Sequence, residues 1–485
     1  VRIFRIIQNT HGEMSKKIEK KRKEGAGTTK VNPYSKVLVV GLGVSGLWTA
    51  RFLSRQGATV TVSEIRPESA LDEGTCKELQ ELGVTLETGG HNRKTFLAAE
   101  MIIVSPGVPL DIEPLRVARK EKIPVIGEME LASRWVDIPI IAVTGTNGKS
   151  TVTSLLGRIL EQAGLEVFIG GNIGTPLIAY VAGSAAGEKK AQVAVIEVSS
   201  FQLDTIDTFR PFVSIILNVS PDHLDRYPDY EAYVQSKFRV FKNQGPGQTL
   251  ILNDDDERLS AANPSSGVKV LRYGSEKKEG RHAFIEDNTI RVCPEGKEMS
   301  AFPVGLFSLP GKHNLENLLA VVLGSQILGI DAAFIQKTID EFKGLPHRLE
   351  RIAEMEGVIF FNDSKATNVD AAVRSLKSFD QPLILIAGGR DKGADYGPLV
   401  RAAEGKVKKA VFLGEAKDIL AAAFEGALPF SLAEDMEEAV FAAFSWATSG
   451  DVVLLAPACS SFDMFTDYSH RGRVFRSAVE RIARA

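Results

Sequence analysis

The residues best suited to chemistry lie in the run Ile140 to Thr153, I-I-A-V-T-G-T-N-G-K-S-T-V-T. Gly145, Thr146, Asn147, Gly148, Lys149, Ser150 and Thr151 form a glycine loop between an apolar strand (Ile140 to Val143) and a helix-compatible run (Val152 to Gln162). The exposed N–H groups of such a loop, with the helix N-terminus behind them, make an anion site. Gly148 lets backbone approach a phosphate, Lys149 supplies a point charge, and the hydroxyl of Ser150 or Thr151 can ligate Mg²⁺. The loop is a short G-x-x-G-K-S: the longer phosphate-loop pattern has glycine where this chain has Val143. Taken alone, the hexapeptide also suits a surface turn; its strand and helix flanks favour nucleotide phosphates.

A second glycine turn, Gly41-Leu42-Gly43-Val44-Ser45-Gly46, follows the strand Val37 to Val40 and opens a helical run to Gln56. The next strand, Thr59 to Ser63, ends at Glu64. That is G-x-G-x-x-G with an acid about twenty residues on, the pattern of an NAD-binding fold. Its physical content is narrower: a turn that admits a nucleotide's phosphates and a carboxylate that accepts from a sugar or base. UDP satisfies it as well as NAD, and a tight turn packing helix on sheet remains the plain alternative. Ser105-Pro106-Gly107, after the strand Met101 to Val104, lies at the edge where open α/β sheets bind ligands.

Other candidates stand at strand ends. Glu197 closes the strand Val193 to Val198, where it faces phosphates or serves as a surface acid. His223, in P-D-H-L-D after the strand Val213 to Leu217, suits a metal ligand or a structural histidine. Lys237 sits on the helical run Tyr230 to Phe241, where lysines ordinarily snorkel to solvent. Lys365, Thr367, Lys392 and Ser461 occupy polar loops after apolar strands and read either as an anion pocket or as charged loop surface. Gly170 to Gly174 is a glycine turn holding Asn172, and Asn314 and Asn317 share one face of the helix Gly311 to Leu328.

A chain of 485 residues implies several domains. Strands alternate with helices throughout, so the expected class is α/β in three units. They are a dinucleotide-fold-like unit at 31–127, a central phosphate-loop unit with a mostly parallel sheet at 128–343, and a further dinucleotide-fold-like unit at 344–485. Residues 1–30, with the basic run Lys16 to Glu24, read as a solvated tail in which Met14 is a candidate start. A net charge of −3 argues against nucleic-acid binding. No apolar run is long enough for a membrane span. The three scattered cysteines suit a reducing, cytoplasmic setting rather than a disulfide framework.

In order, G-T-N-G-K-S-T, G-N-I-G, E-V-S-S-F-Q-L, N-V-S-P-D-H-L-D-R-Y, L-P-G-K-H-N, L-P-H-R, D-S-K-A-T-N, G-G-R-D-K-G-A-D and L-L-A-P-A-C-S-S-F-D resemble the motifs of the Mur ligase family. These are ATP-dependent, amide-forming ligases of peptidoglycan precursor synthesis. The resemblance covers Lys36 to the C-terminus, and the G-L-G-V-S-G opening with D-S-K-A-T-N and P-A-C-S-S-F-D is similar to the members that add D-glutamate to UDP-N-acetylmuramoyl-L-alanine. It implies that Val44, Ser45, Glu64, Arg66, Ser105 and Gly107 hold the UDP end and that Asn172 contacts the substrate. Residues 145 to 151 would hold ATP phosphates, with Asn317, Arg348 and Asp363 also touching ATP. Ser150, Glu197, His223 and Lys237 would serve two Mg²⁺ ions, Lys237 as a carbamate, which replaces a repelling ammonium by an anionic oxygen ligand. Lys365, Thr367, Lys392, Ser461, Phe462 and Tyr468 would bind D-glutamate. A cytoplasmic monomer is expected. Phe462 and Tyr468 stand where leucine and phenylalanine are usual, and Arg390-Asp391 where Asp-Gly is usual. Two other classes are an NAD-dependent oxidoreductase, suggested by Gly41 to Gly46 alone, and a non-catalytic nucleotide sensor, whose mark is loss of Lys149, Glu197 or Lys237. All three are present.

Overall fold

The structure is a computed structural model that describes residues 35–482 except 189, 225, 265–266, 295–297 and 308, so the basic tail lies outside the described residues. The described chain builds three sheets. In the first, β1 (Lys36–Val40), β2 (Thr59–Ser63), β3 (Thr85–Glu87), β4 (Met101–Val104) and β5 (Val125–Gly127) run parallel in the order β3-β2-β1-β4-β5. The order reverses between β1 and β4, which opens a crevice at their carboxyl ends. Gly41 to Ser45 and Ser105 to Gly107 follow those two strands directly.

The second sheet comprises β6 (Ile140–Thr144), β7 (Val167–Gly171), β8 (Val193–Glu197), β9 (Val213–Ile216), β10 (Thr249–Asn253), β11 (Lys269–Tyr273), β12 (Ala283–Glu286), β13 (Thr289–Val292) and β14 (Ser300–Pro303). Its order is β14-β13-β12-β11-β10-β9-β6-β8-β7. Strand β6 lies between β8 and β9, all parallel, and every residue of β6 and β8 is buried. Continuous apolar strands of this kind belong inside a sheet covered on both faces. Among the described residues of this sheet, antiparallel pairing is confined to β12 with β13 and β13 with β14.

The third sheet holds β15 (Glu350–Met355), β16 (Val358–Asn362), β17 (Leu383–Gly388), β18 (Val407–Leu413), β19 (Phe430–Ala433) and β20 (Val452–Leu455), ordered β15-β16-β20-β17-β18-β19. Only β15 runs antiparallel. Strands β3, β7, β15 and β19 have no counterpart in the sequence reading. All four contain exposed or half-exposed residues, so their apolar signal is diluted. The helix expected through Phe241 ends as α-helix at Phe238 and tightens into a 3₁₀ turn.

Packing joins the first two units. One apolar cluster runs from Val37 and Val62 through Met129 to Ile140, Leu177 and Leu250. Helix Val44–Arg55 and helix Glu128–Ser133 both lie on helix Leu177–Ala185. The third unit has two clusters of its own, one on each face of its sheet.

Candidate active site

The phosphate loop leaves β6 at Gly145 and enters helix Lys149–Gln162. Gly148 has φ +86° and caps the helix without any side-chain hydrogen bond, so the first-turn N–H groups remain available to an anion. A Cβ at Gly148 would lie 2.2 Å from Asn317 Oδ1, so glycine is required there by backbone and neighbour alike. Asn218 clamps the loop: its Oδ1 accepts from Asn147 N at 2.9 Å, and its Nδ2 donates to Asn147 O at 3.1 Å.

Lys149 Nζ donates to Gly145 O at 2.9 Å and Thr146 O at 2.8 Å. Lys237 Nζ reaches the same Gly145 carbonyl at 3.0 Å from the other side, lying over the Tyr233 ring. Lys237 is 1% exposed, which overturns the snorkelling expectation: Asp229 caps its helix and fixes the face it presents. Burial, and after it the charge of Lys149, holds the Lys237 ammonium well below its ordinary range. Burial also lowers Lys149, against the pull of Glu197 and Asp222.

Glu197, at the end of β8, is buried, which by itself raises its pKa. Lys149, Arg348 and hydrogen bonds from Ser150 and Asn172 outweigh that, and the carboxyl lies below its ordinary value. Ser150 Oγ donates to Glu197 Oε2 and accepts from Arg348 Nη2; Asn172 Nδ2 donates to Glu197 Oε1 at 2.8 Å. Asn172 therefore lines the central chamber beside Glu197. The next residues, Ser199 and Gln202, form a capping box for helix Ser200–Leu203.

His223, with φ +55°, stands edge-on to Phe201, its Nε2 3.7 Å from Asp222 Oδ2. Burial lowers its pKa against the pull of Asp222, so a neutral, ligand-competent imidazole is favoured. Among the described residues no group of three or more His, Cys, Asp or Glu is set to hold a metal. The Ser150 and Glu197 oxygens are a hard donor pair of the kind that could hold Mg²⁺, which would neutralise phosphate charge there.

Three adjoining cavities share these groups. The first, lined by Asn147, Gly148, Thr151, Asn317, Arg348 and Asp363, leads onto the loop. The second is the chamber of Lys149, Glu197, Asn172, His223 and Lys237. The third is lined by His223, Thr367, Lys392, Ser461, Phe462 and Tyr468. Lys365 lines all three. Burial, then Arg348, brings its ammonium down to about 7, and its Nζ lies 3.7 Å from the Tyr468 ring centroid. Burial raises the Asp363 carboxyl to about 6 even though Ser375 donates to it.

Val44 and Ser45 open helix Val44–Arg55 at the first-sheet crevice, again with no side-chain cap. Ser105 Oγ donates to Gly41 O at 2.9 Å, and Gly107 O accepts from Arg226 Nη1 at 3.3 Å. Glu64 accepts from Leu42 N at 2.6 Å and from Arg66 N and Nε at 3.0 and 2.9 Å. Burial opposes ionisation there, yet these bonds bring Glu64 down to about 2. Its carboxylate thus knits the glycine turn together.

Two residues that sequence reasoning left without a role bind the parts. Asp222 accepts from Asn368 Nδ2 at 2.9 Å and lies 3.7 Å from Lys392 Nζ, bridging the second and third units. Arg471, 1% exposed, donates to Gly388 O, Cys459 O, Ser460 O and Ser364 O, tying together the loops after β16, β17 and β20. The available signals were Asp222's adjacency to His223 and an arginine three residues after Tyr468 on a helix.

An α/β chain with a central phosphate loop, one unit packed beside it and another whose residues line the loop's pockets is the architecture of an ATP-dependent peptide ligase, and the chain belongs to the Mur ligase family. Residues 143–324 match the Mur ligase middle domain, 35–127 the Mur ligase MurD-like N-terminal domain, and 347–459 the Mur ligase glutamate ligase domain. It is 45% identical over 447 residues to the UDP-N-acetylmuramoylalanine--D-glutamate ligase of Desulfosudis oleivorans, covering 92% of this chain and 96% of that protein. The enzyme of the same name from Geotalea daltonii is 43% identical, over 92% and 98%. In fold the chain is similar to the UDP-N-acetylmuramate-alanine ligase of Thermotoga maritima (TM-score 0.56, 19% identity, 92% and 99% covered). It is likewise similar to the MurF ligase of Thermotoga maritima in complex with ADP (TM-score 0.58, 16% identity, 88% and 96% covered). Among the described residues no helix is long and apolar enough to cross a membrane.

Proposed function

We propose that this enzyme joins D-glutamate to UDP-N-acetylmuramoyl-L-alanine, with ATP giving ADP and phosphate, as a cytoplasmic monomer in peptidoglycan precursor synthesis. One observation carries the reading: the nucleotide pocket, the chamber of Lys149 and Glu197, and the polar third-unit pocket meet at Lys365. A carboxylate is a poor acyl donor until one of its oxygens is phosphorylated. The alanyl carboxylate attacks the γ-phosphorus, a new P–O bond forms, and the bond to the bridging oxygen breaks with departure of ADP. Lys149 and the open N-terminus of its helix take up charge on the phosphoryl oxygens. D-glutamate's neutral amine then attacks the acyl carbon, and phosphate leaves.

The UDP end is assigned to Val44, Ser45, Glu64, Arg66, Ser105 and Gly107, and the phosphates of ATP to residues 145 to 151. D-glutamate is assigned to Lys365, Thr367, Lys392, Ser461, Phe462 and Tyr468. Mg²⁺ would be held by Ser150, Glu197, His223 and a carbamylated Lys237, and when bound it neutralises phosphate charge. The unit boundaries near 127 and 343 follow from the same assignment. Phosphate release with ATP, UDP-N-acetylmuramoyl-L-alanine and a panel of amino acids tests the reading. D-glutamate should be the acceptor, and Lys149→Ala should lower turnover by at least ~10²-fold. Equal turnover with L-glutamate, or wild-type turnover in Lys149→Ala, would overturn it.

A further inference from the structure

We infer that Asp370 is a positioning residue that reads the phosphate loop and sets the third unit over it. Asp370 lies in the first turn of helix Val369–Lys377, in the third unit. Its Oδ2 accepts from Asn147 Nδ2 at 2.7 Å, from Ser220 Oγ at 2.9 Å and from Arg374 Nε at 2.9 Å. Two of these three donors belong to the second unit, and one is a phosphate-loop side chain whose backbone is clamped by Asn218. Hydrogen bonds to an ionised carboxylate are shorter and stronger than neutral ones, so one oxygen holds loop and helix together.

The same helix end makes a second connection. Asn368 caps the helix, its Oδ1 accepting from Ala371 N at 2.8 Å, while its Nδ2 reaches Asp222. Arg374, one turn on, lies 4.0 Å from Glu316 of the second unit. The loop entering this helix carries Lys365 and Thr367, both lining the third pocket. Anchoring the helix to Asn147 therefore sets those two side chains relative to the phosphate loop. A displacement of that loop by nucleotide is passed to the amino-acid pocket through Asp370, without Asp370 touching either ligand.

This inference rests on the proposed reaction only for its kinetic readout; its structural readout does not. In full-length enzyme, Asp370→Ala should raise KM for D-glutamate about ten-fold, because it removes both charge-assisted hydrogen bonds that cross from the second unit. KM for ATP and kcat should each change less than about three-fold, and Asp370→Ala with Ser220→Ala should be no worse than Asp370→Ala alone. Small-angle scattering should give Asp370→Ala a larger radius of gyration than the wild type, whose third unit is held on the loop. Asp370→Asn, which keeps an acceptor oxygen, should recover part of both effects, and it replaces the alanine variant should that one fail to fold. Wild-type KM and radius of gyration in Asp370→Ala, or equal losses in both KM values and kcat, would overturn the role. An expanded Asp370→Ala in a protein that does not ligate D-glutamate would retain the latch and reject the proposed reaction.

Discussion

Lys237 shows how much a single side chain's meaning depends on its surroundings. Two ammonium groups, Lys149 and Lys237, converge on the Gly145 carbonyl in a buried chamber. Burial and mutual repulsion push Lys237 toward the neutral amine, the form that attacks CO₂. A carbamate would convert that repulsion into attraction. With ¹³C-bicarbonate at neutral pH, a carbamate resonance is expected in the wild type and none in Lys237→Arg. An active wild type without the resonance would leave the lysine acting as an amine. Lys365 has a related sensitivity. Its folded pKa of about 7 lies below the ordinary lysine value, so the unfolded chain binds the extra proton between about 7 and 10.5. This group alone makes stability rise with pH across that window.

At the scale of elements, Glu128, the first residue after the last strand of the first sheet, ties the start of the second unit to a later helix of that unit. It begins helix Glu128–Ser133, and its Oε1 accepts from Ile178 N, in the first turn of helix Leu177–Ala185, at 2.7 Å. Its Oε2 is buried with no hydrogen-bond partner among the described residues, and burial raises the carboxyl to about 7. Because the folded value lies above the unfolded one, the folded chain holds a proton that the unfolded chain has released. Stability therefore falls as pH rises from about 4.5 to 7 and stays lower above that. Glu128→Gln keeps the oxygen that Ile178 needs and removes the charge. It should raise stability at pH 8 by about 1–3 kcal/mol and much less at pH 5, read from denaturant unfolding. The same gain at both pH values would show that packing, rather than charge, is responsible. The elements themselves were legible where apolar strands are continuous: β4 falls at the expected residues and β6 begins at the expected one. They were missed where a strand is half exposed, as β15 and β19 are, because a diluted apolar pattern does not separate strand from loop.

At the scale of the whole molecule, the three sheets are not equally independent. The first two units share one continuous apolar cluster, whereas the third has its own and meets the second largely through polar bonds at Asp222, Asp370 and Ser150. Calorimetry of the full chain should therefore resolve two unfolding transitions, with the first and second units melting together. ATP should raise the midpoint of the transition that destroys its site, the added stability being about 2.7 kcal/mol at a hundredfold excess over Kd. Three separable transitions would contradict the shared core.

The sequence by itself determined the class of fold, the phosphate loop and the order of the motifs, because glycine turns, apolar strands and helix starts are local properties of a few neighbouring residues. It marked Lys149, Glu197 and Lys365 as chemically able. Only the tertiary structure decided that Lys237 is buried against the Gly145 carbonyl and that Asn172 sits on Glu197. The same holds for Arg471 binding three loops and for Asp370 touching Asn147. Those pairings join residues from 11 to 223 positions apart, and hydrogen bonds across such separations depend on how the elements and units pack, which no short stretch of residues encodes.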